Sequence, residues 1–255
     1  MSIVSYKLCM RGLLHQKGGE SYSDYFAWWG LFHGRAVVMA GGMDGAAHAA
    51  RGSRCAGRAA GKHLSHSAPP DSGSPSGQRC ASAAIVASLA AANNALACEA
   101  HAMGCSVADL RTTLMAVSYE GPDRRPLCYG YVGDGALIVR YADDSVEILE
   151  APQQRVGGGT YSVDMTTEAW RFGTRYGVHA LLMSTGGLRD AFAQRDGCGV
   201  WHPTPLAARL LEAPQPKEEL DALLGATSGT DTETQAIWAS TEDRTVYLAW
   251  WQPEG

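Results

Sequence analysis

The stretch Arg35–Leu64 most constrains the fold of this chain, because a buried-strand pattern passes directly into a helix pattern there. Residues 36–40 form an apolar run typical of a buried strand, and Gly41 and Gly42 interrupt it. A proline-free stretch rich in Ala and Arg follows and predicts a helix over residues 46–66. A strand that enters a helix through glycines offers backbone N–H groups at a cleft, so this turn is either a ligand site or a tight turn without a ligand.

The length of the chain indicates how many domains it forms, and its charge indicates which partners it can bind. With 255 residues it can bury the core of one large domain, and we expect a single domain over residues 1–255. The formal net charge of −5 and the pI of about 5.9 argue against nucleic-acid binding, which normally requires a basic surface.

Cysteine usage and the N-terminal sequence indicate a cellular compartment. The seven cysteines are scattered without zinc-ligand spacing, which predicts reduced thiols in a cytoplasmic protein. The first apolar segment is too short and too interrupted for a signal peptide, and no later apolar run has the length of a membrane span. We therefore expect no association with a membrane.

Apolar runs and turn residues predict the order of the elements. Strands are expected at 3–10, 25–32, 36–40, 110–120, 126–132, 136–141, 146–149, 179–184, 233–240 and 244–251. Helices are expected at 46–66, 78–103, 206–211 and 217–224, with a Pro/Ser/Gly-rich loop at 67–77 and a C-cap at Gly104. Helices grouped between runs of antiparallel strands favour an α+β fold in which sheets pack on each other with helices outside.

The predicted helix at 46–66 carries a basic stripe. Arg51, Arg54, Arg58 and Lys62 are three or four residues apart, which places them on one face. Solvation of a charged helix face is the ordinary interpretation of such a pattern.

Two pairs of adjacent tryptophans, Trp28–Trp29 and Trp250–Trp251, lie in predicted strands. Because neighbouring side chains in a strand point to opposite faces, both faces of these strands are either covered by other layers or present a Trp to a partner.

Six short motifs occur in the order and with the spacing found in metal-dependent protein phosphatases of the PP2C (PPM) type, above all in the bacterial PP2C-like subgroup. They are Tyr22-Ser23-Asp24-Tyr25-Phe26, Ala40-Gly41-Gly42 with Arg51-Gly52-Ser53-Arg54, Thr112-Thr113-Leu114, Val132-Gly133-Asp134-Gly135-Ala136, Thr185-Gly186-Gly187-Leu188-Arg189-Asp190 and Asp231-Thr232-Glu233-Thr234. The chain therefore resembles this family over nearly its full length. The resemblance implies a four-layer α/β-β/α sandwich of two antiparallel sheets flanked by helices.

The chain departs from the family at the metal ligands. Family members hold two divalent cations, usually Mn²⁺ or Mg²⁺, whose bridging water attacks phosphorus. Here Gly41 replaces the bridging Asp, Gly186 replaces the Asp of Ser-Asp-Gly, and Ser23 replaces an acidic or amide residue. The family's phosphate-binding Arg ahead of Asp24 is also missing, and Lys17 is the nearest cation. The carboxylates that remain at family positions are Asp24, Asp134, Asp190 and Asp231.

These replacements bear directly on catalysis. Glycine offers no side-chain ligand, whereas Mg²⁺ and Mn²⁺ need oxygen ligands. Two-metal hydrolysis needs the bridge that Gly41 removes, and phosphate monoesters require accelerations of up to about 10²¹. The cleft formed by Asp24, Gly41, Gly42, Gly186 and Asp190 is therefore interpreted as vestigial.

Three hypotheses follow for function. The preferred one is a pseudophosphatase without a cofactor, a signalling regulator that binds a phosphoprotein or a Ser/Thr kinase. The alternative is an active metal-dependent Ser/Thr protein phosphatase whose remodelled site uses Asp44, Asp134, Asp190 and Asp231, with a single Mg²⁺ or Mn²⁺ if that site binds. The third is a protein in which Asp134 and Asp231 hold one structural Mg²⁺ or Ca²⁺.

Overall fold

The computed structural model describes residues 2–10, 23–30, 34–43, 45–67, 75–120, 126–153, 160–165, 167–212, 218 and 243–252. In chain order their elements are β1 Ser2–Met10, β2 Tyr25–Gly30, β3 Arg35–Ala40, α1 Ala49–Ser67, α2 Pro75–Met103, β4 Leu114–Tyr119, β5 Leu127–Val132, β6 Ala136–Tyr141, β7 Val146–Glu150, β8 Arg171–Arg175, β9 Val178–Ser184, α3 Arg189–Phe192, β10 Ala193–Arg195, β11 Trp201–Pro203, α4 Pro205–Glu212 and β12 Arg244–Gln252. The predicted helix at 217–224 and strand at 233–240 lie outside the described ranges.

The chain divides into two compact units. The first unit comprises Met1–Glu20, Gly135–Pro152 and Val178–Gly255, and the second comprises Ser21–Asp134 and Gln153–Gly177. Each contains one five-stranded sheet whose neighbouring strands are antiparallel. The expectation of a single domain over residues 1–255 stays a prediction.

The second unit is built on the sheet β2-β3-β4-β5-β8, and α1 and α2 pack on one face of it. Small side chains such as Ala56, Ala60 and Ala92 line the buried surfaces of the helices, so the two backbones and the sheet approach closely. The Ala-rich composition that predicted helices therefore also determines how tightly they pack.

Helix α2 includes a segment, Ser82–Met103, that is long and apolar enough to cross a membrane by length and composition. Its residues Ile85, Leu89 and Leu96 are fully buried in the core of the second unit. Burial against α1 and the sheet accounts for this apolar composition.

The end of α2 confirms the predicted C-cap. Gly104 has φ +66°, the left-handed conformation that favours glycine. The N–H of Cys105 donates to the Ala100 carbonyl at 3.0 Å and the N–H of Gly104 to the His101 carbonyl at 3.2 Å. This pair of bonds is a Schellman motif, which satisfies the last carbonyls of the helix.

Several boundaries differ from the sequence prediction. Helix α2 begins at Pro75, inside the predicted loop, because proline suits the first helical position. The predicted strand at 110–120 starts only at Leu114, because Val107–Leu110 form a 3₁₀ turn capped by Ser106. Strand β8 and the β10–β11 hairpin were not predicted, since they are short and their sequences are largely polar.

The first unit is built on the sheet β1-β12-β9-β6-β7. Strands β9 and β12, both predicted, pair at its centre, and α3 and α4 contribute to its core. Phe192, Leu210, Ile138, Leu182 and Leu248 are completely buried there. The apolar runs at 179–184 and 244–251 thus correspond to central strands covered on both faces.

The tryptophans include both covered and solvent-exposed side chains, the two alternatives that the sequence left open. Trp251 is buried, and the indole N–H of Trp250 donates to the Leu211 carbonyl at 3.2 Å. Trp28 on the edge strand β2 is 51% exposed, with the Arg35 guanidinium 4.7 Å from the centre of its ring. Trp28 therefore keeps a solvent-accessible surface.

Replacing Gly52 should test how tightly α1 is seated. A Cβ added there would lie 2.0 Å from the Leu110 carbonyl oxygen, so the backbone must shift. We expect Gly52→Ala to lower the free energy of unfolding by about 2 kcal/mol, because overpacking outweighs the better helix propensity of Ala. The matched control is Gly197→Ala, where nothing lies within 4 Å of the added Cβ. Urea denaturation of both variants measures the difference, and equal stabilities would contradict this packing.

Candidate functional site

The β3–β4 ladder continues past the end of β3 in the same register. Gly42 forms an antiparallel bridge with Thr112. On either side, the N–H of Thr113 donates to the Gly41 carbonyl at 2.9 Å and the N–H of Met43 to the Arg111 carbonyl at 3.2 Å. The predicted break after residue 40 is confirmed as the end of β3, and the two glycines continue its pairing with Thr112 and Thr113 beyond that end.

The main chain of Gly41 is held on both sides of its peptide. Its N–H donates to Thr113 Oγ1 at 3.2 Å, and its carbonyl also accepts from Thr112 Oγ1 at 2.8 Å. These bonds lie within the second unit, and Thr112 is fully buried. The backbone N–H of Gly41 is thus used by the fold, which at this residue favours the second of the two alternatives, a turn without a ligand.

Asp24, Gly41 and Thr113 occupy one row across the sheet. The β2–β3 register pairs Tyr25 with Ala40, which brings Asp24 opposite Gly41. Ala40 belongs to the core beneath the helices, so alternation puts the row of Asp24 on the opposite face of the sheet. Asp24 is only 7% exposed. Gly41 therefore contributes no side chain to the row between the buried carboxylate of Asp24 and Thr113.

Gly42 is closely surrounded. A Cβ at this position would lie 2.8 Å from the Ser23 Cβ and 3.0 Å from the Ala49 Cβ. Ser23, in turn, accepts a short hydrogen bond at its carbonyl from the Ser53 hydroxyl of α1. The beginning of α1 is thus packed against the edge of the candidate site.

Asp134 lies at the end of β5, after a glycine that the backbone requires. Gly133 has φ +136°, and an added Cβ would lie 2.5 Å from the Thr113 Cβ. The Oδ2 atom of Asp134 accepts a hydrogen bond from the Thr160 hydroxyl at 3.0 Å. Asp134 is therefore held at the same end of the sheet as Gly41 and Thr113.

Gly186 and Asp190 belong to the first unit. Gly186 starts a 3₁₀ turn, Gly186–Leu188, directly after β9. Asp190 is 67% exposed on its side chain, and its carboxylate accepts two hydrogen bonds from the Arg189 guanidinium, at 2.7 and 2.9 Å. The guanidinium of the neighbouring Arg189 thus compensates the negative charge of Asp190 through a bidentate ion pair.

Two charged residues, one in each unit, were missed by the sequence prediction. Asp243 is 3% exposed immediately before β12, and its carbonyl would lie 2.4 Å from a Cβ added at Gly187. Glu242-Asp243-Arg244-Thr245 repeats the acidic-x-x-Thr pattern of Asp231-Thr232-Glu233-Thr234. An acidic pair placed directly before the last apolar run was the signal that would have identified it.

Arg111 is the second missed residue. It is two residues before Thr113 in an extended segment, so its side chain shares the sheet face of Thr113. Its Nε atom lies 3.6 Å from Asp164 Oδ2, and the side chain is partly exposed. A cation thus lies on the face of the sheet that carries Asp24, although not at the position ahead of Asp24 where it was sought.

The described residues do not fit a two-metal centre. Within the ranges that the structure covers, no three His, Cys, Asp or Glu side chains come together closely enough to hold a metal ion. Of the predicted ligands, Asp134 is in the second unit and Asp190 in the first, whereas Asp44 and Asp231 lie outside the described residues. Hard divalent cations require several oxygen ligands at one point, and positions 41 and 186 supply none from a side chain.

A model of the protein phosphatase 2C family matches residues 11–225 of the chain. The chain belongs to the protein phosphatase 2C family. No curated protein sequence is significantly similar to it.

Solved structures confirm the fold. A bacterial serine phosphatase matches with a TM-score of 0.69 and 12% identity over 100% of both chains. PppA of Pseudomonas aeruginosa, described as a key regulatory component of T6SS, matches with a TM-score of 0.64 and 16% identity over 98% of this chain and 97% of its own. RsbX in complex with magnesium matches with a TM-score of 0.62 and 13% identity over 97% of this chain and 94% of its own. The predicted α+β fold of the PP2C type is therefore confirmed.

Removing the Thr113 hydroxyl should destabilise the end of the β3–β4 ladder. Thr113→Val keeps the shape of the side chain but leaves the Gly41 N–H without its acceptor, so we expect a loss of about 1–2 kcal/mol in the free energy of unfolding. Thr113→Ser keeps the hydroxyl and serves as the control, with a smaller loss. Chemical denaturation compares the two, and a Val variant as stable as the natural protein would refute the role of this hydrogen bond.

Proposed function

We propose that this protein is a pseudophosphatase, a PP2C-type protein that binds a phosphoprotein or a Ser/Thr kinase as a regulator and does not hydrolyse phosphate esters. The observation that carries the proposal is the position of Gly41. It stands between Asp24 and Thr113 in a row fixed by strand pairing, where family members present a bridging carboxylate. Neither neighbour can supply the absent oxygen from that position, because the register determines where each side chain begins.

The surviving carboxylates support the same conclusion. A cation at Asp190 would have to displace the Arg189 guanidinium, which already holds both carboxylate oxygens. Asp134 accepts from the Thr160 hydroxyl. Hydrolysis of phosphate monoesters demands very large accelerations, which two-metal sites provide through a bridged nucleophile. Because the set of metal ligands is incomplete, we expect the protein to bind its protein partner without hydrolysing a phosphate ester.

The proposed partners follow from the retained fold. Membership of a phosphatase family supports recognition of phosphoproteins or of the kinases that produce them. We place this binding in the cytoplasm. The described cysteines support a reducing compartment, because Cys9, Cys55, Cys98, Cys105, Cys128 and Cys198 are all free thiols.

Calorimetric titration with Mn²⁺, combined with turnover of p-nitrophenyl phosphate, tests the proposal. We expect neither binding heat nor protein-dependent turnover. Turnover that disappears in Asp231→Asn would instead establish the active phosphatase with a remodelled site at Asp44, Asp134, Asp190 and Asp231. Binding heat without turnover would establish the single-ion protein.

Restoring the two missing carboxylates should create metal affinity. We expect the double variant Gly41→Asp/Gly186→Asp to bind Mn²⁺ at least tenfold more tightly than the natural protein, because it returns oxygen ligands to both altered positions. Gly197→Asp adds one carboxylate to an exposed loop and is the control for non-specific charge. If the natural protein binds Mn²⁺ as tightly as the double variant, the two glycines are not what limits metal binding.

A further inference from the structure

The outer face of α1 presents a continuous basic stripe, defined here as Arg51, Arg54, Arg58 and Lys62. All four side chains are exposed, whereas Gly52, Ser53, Ala56 and Ala60 on the other side of the helix are buried. The predicted grouping of these cations on one face is thus confirmed.

Three of the four charges have no carboxylate partner among the described residues. Arg51 forms an ion pair with Glu99 of α2. Arg54 donates from Nε to the Ala50 carbonyl at 2.8 Å, which leaves its charge uncompensated. Within the described ranges, no carboxylate forms an ion pair with Arg54, Arg58 or Lys62. A local excess of positive charge therefore exists on a chain whose formal net charge is −5.

We propose that this stripe is a docking surface for an extended acidic segment of a partner protein. Arg54, Arg58 and Lys62 follow one another at intervals of four residues, which corresponds to about 6 Å along a helix. Every second side chain of an extended peptide is about 6.6 Å apart on the same face. Acidic residues at alternate positions of the partner thus meet successive cations of the helix.

The observations favour a protein partner over a nucleic acid. Three cations neutralise few phosphates, and the net negative charge of the chain repels a long polyanion. The inference goes beyond the proposed function, because the surface would operate whether or not the protein hydrolyses phosphate. A failure of either proposal leaves the other standing.

Fluorescence anisotropy tests this surface. The full chain is titrated into a labelled eight-residue peptide of alternating Glu and Ser. We expect the natural protein to bind this peptide, with an affinity at least tenfold weaker in Arg58→Glu and several-fold weaker in Lys62→Gln. The affinity of the natural protein should also fall as salt is raised from 50 to 200 mM, because exposed charge pairs are screened. The control is Arg195→Glu, which reverses another exposed cation and should leave the affinity within twofold.

Four results would overturn the proposal. They are absence of binding to the natural protein, an unchanged affinity in Arg58→Glu, an equal loss in Arg195→Glu, and tighter binding of a single-stranded DNA octamer than of the peptide. A second peptide tests the match in spacing between the cations of α1 and alternate residues of an extended chain. A peptide with four Glu in one block followed by four Ser should bind at least threefold more weakly, and equal affinity would show that pitch plays no part.

Discussion

The register between β3 and β4 is the constraint on which the rest of the second unit depends. Ala36, Val38 and Ala40 are buried toward the helices, while Val37 and Met39 are buried on the other face, so a slip by one residue would exchange two packed surfaces. The same register carries on through Gly41 and Gly42. The positions of Asp24, Gly41 and Thr113 are therefore set by strand pairing that continues from the core of the sheet.

The apolar cores explain how the fold accommodates an altered set of residues at the family's ligand positions. Each unit has its own apolar core, built in one case from α1, α2 and their sheet and in the other from α3, α4 and theirs. Neither core includes Asp24, Asp134 or Asp190. Glycine at positions 41 and 186 takes no buried apolar area from either core, so the stability of the fold does not depend on carboxylates there.

Most of the fold was predictable from the sequence, because apolar runs such as 179–184 and 244–251 become central strands and the Ala-rich segments become packed helices. The errors have physical causes. The break predicted at Gly41 and Gly42 is the end of β3, but the pairing beyond it depends on Thr112 and Thr113, about 70 residues away, and has no signal in the local sequence. Strand β8 lacks an apolar run because it is an edge strand. At the candidate site, the sequence itself shows which carboxylates are absent. The Arg189–Asp190 ion pair and the burial of Asp243 depend on the folded structure and could not be predicted from the sequence.

The seating of α1 has a consequence for anything that recognises its outer surface. Gly52 lies against the Leu110 carbonyl, and one and a half turns later Gly57 lies so close to the Tyr25 ring that a methyl group there would be 2.1 Å away. Two such contacts fix how α1 lies on its neighbours. The Cα–Cβ directions of its long side chains are consequently set during folding, and a visiting chain bears only the entropic cost of ordering the atoms beyond Cβ.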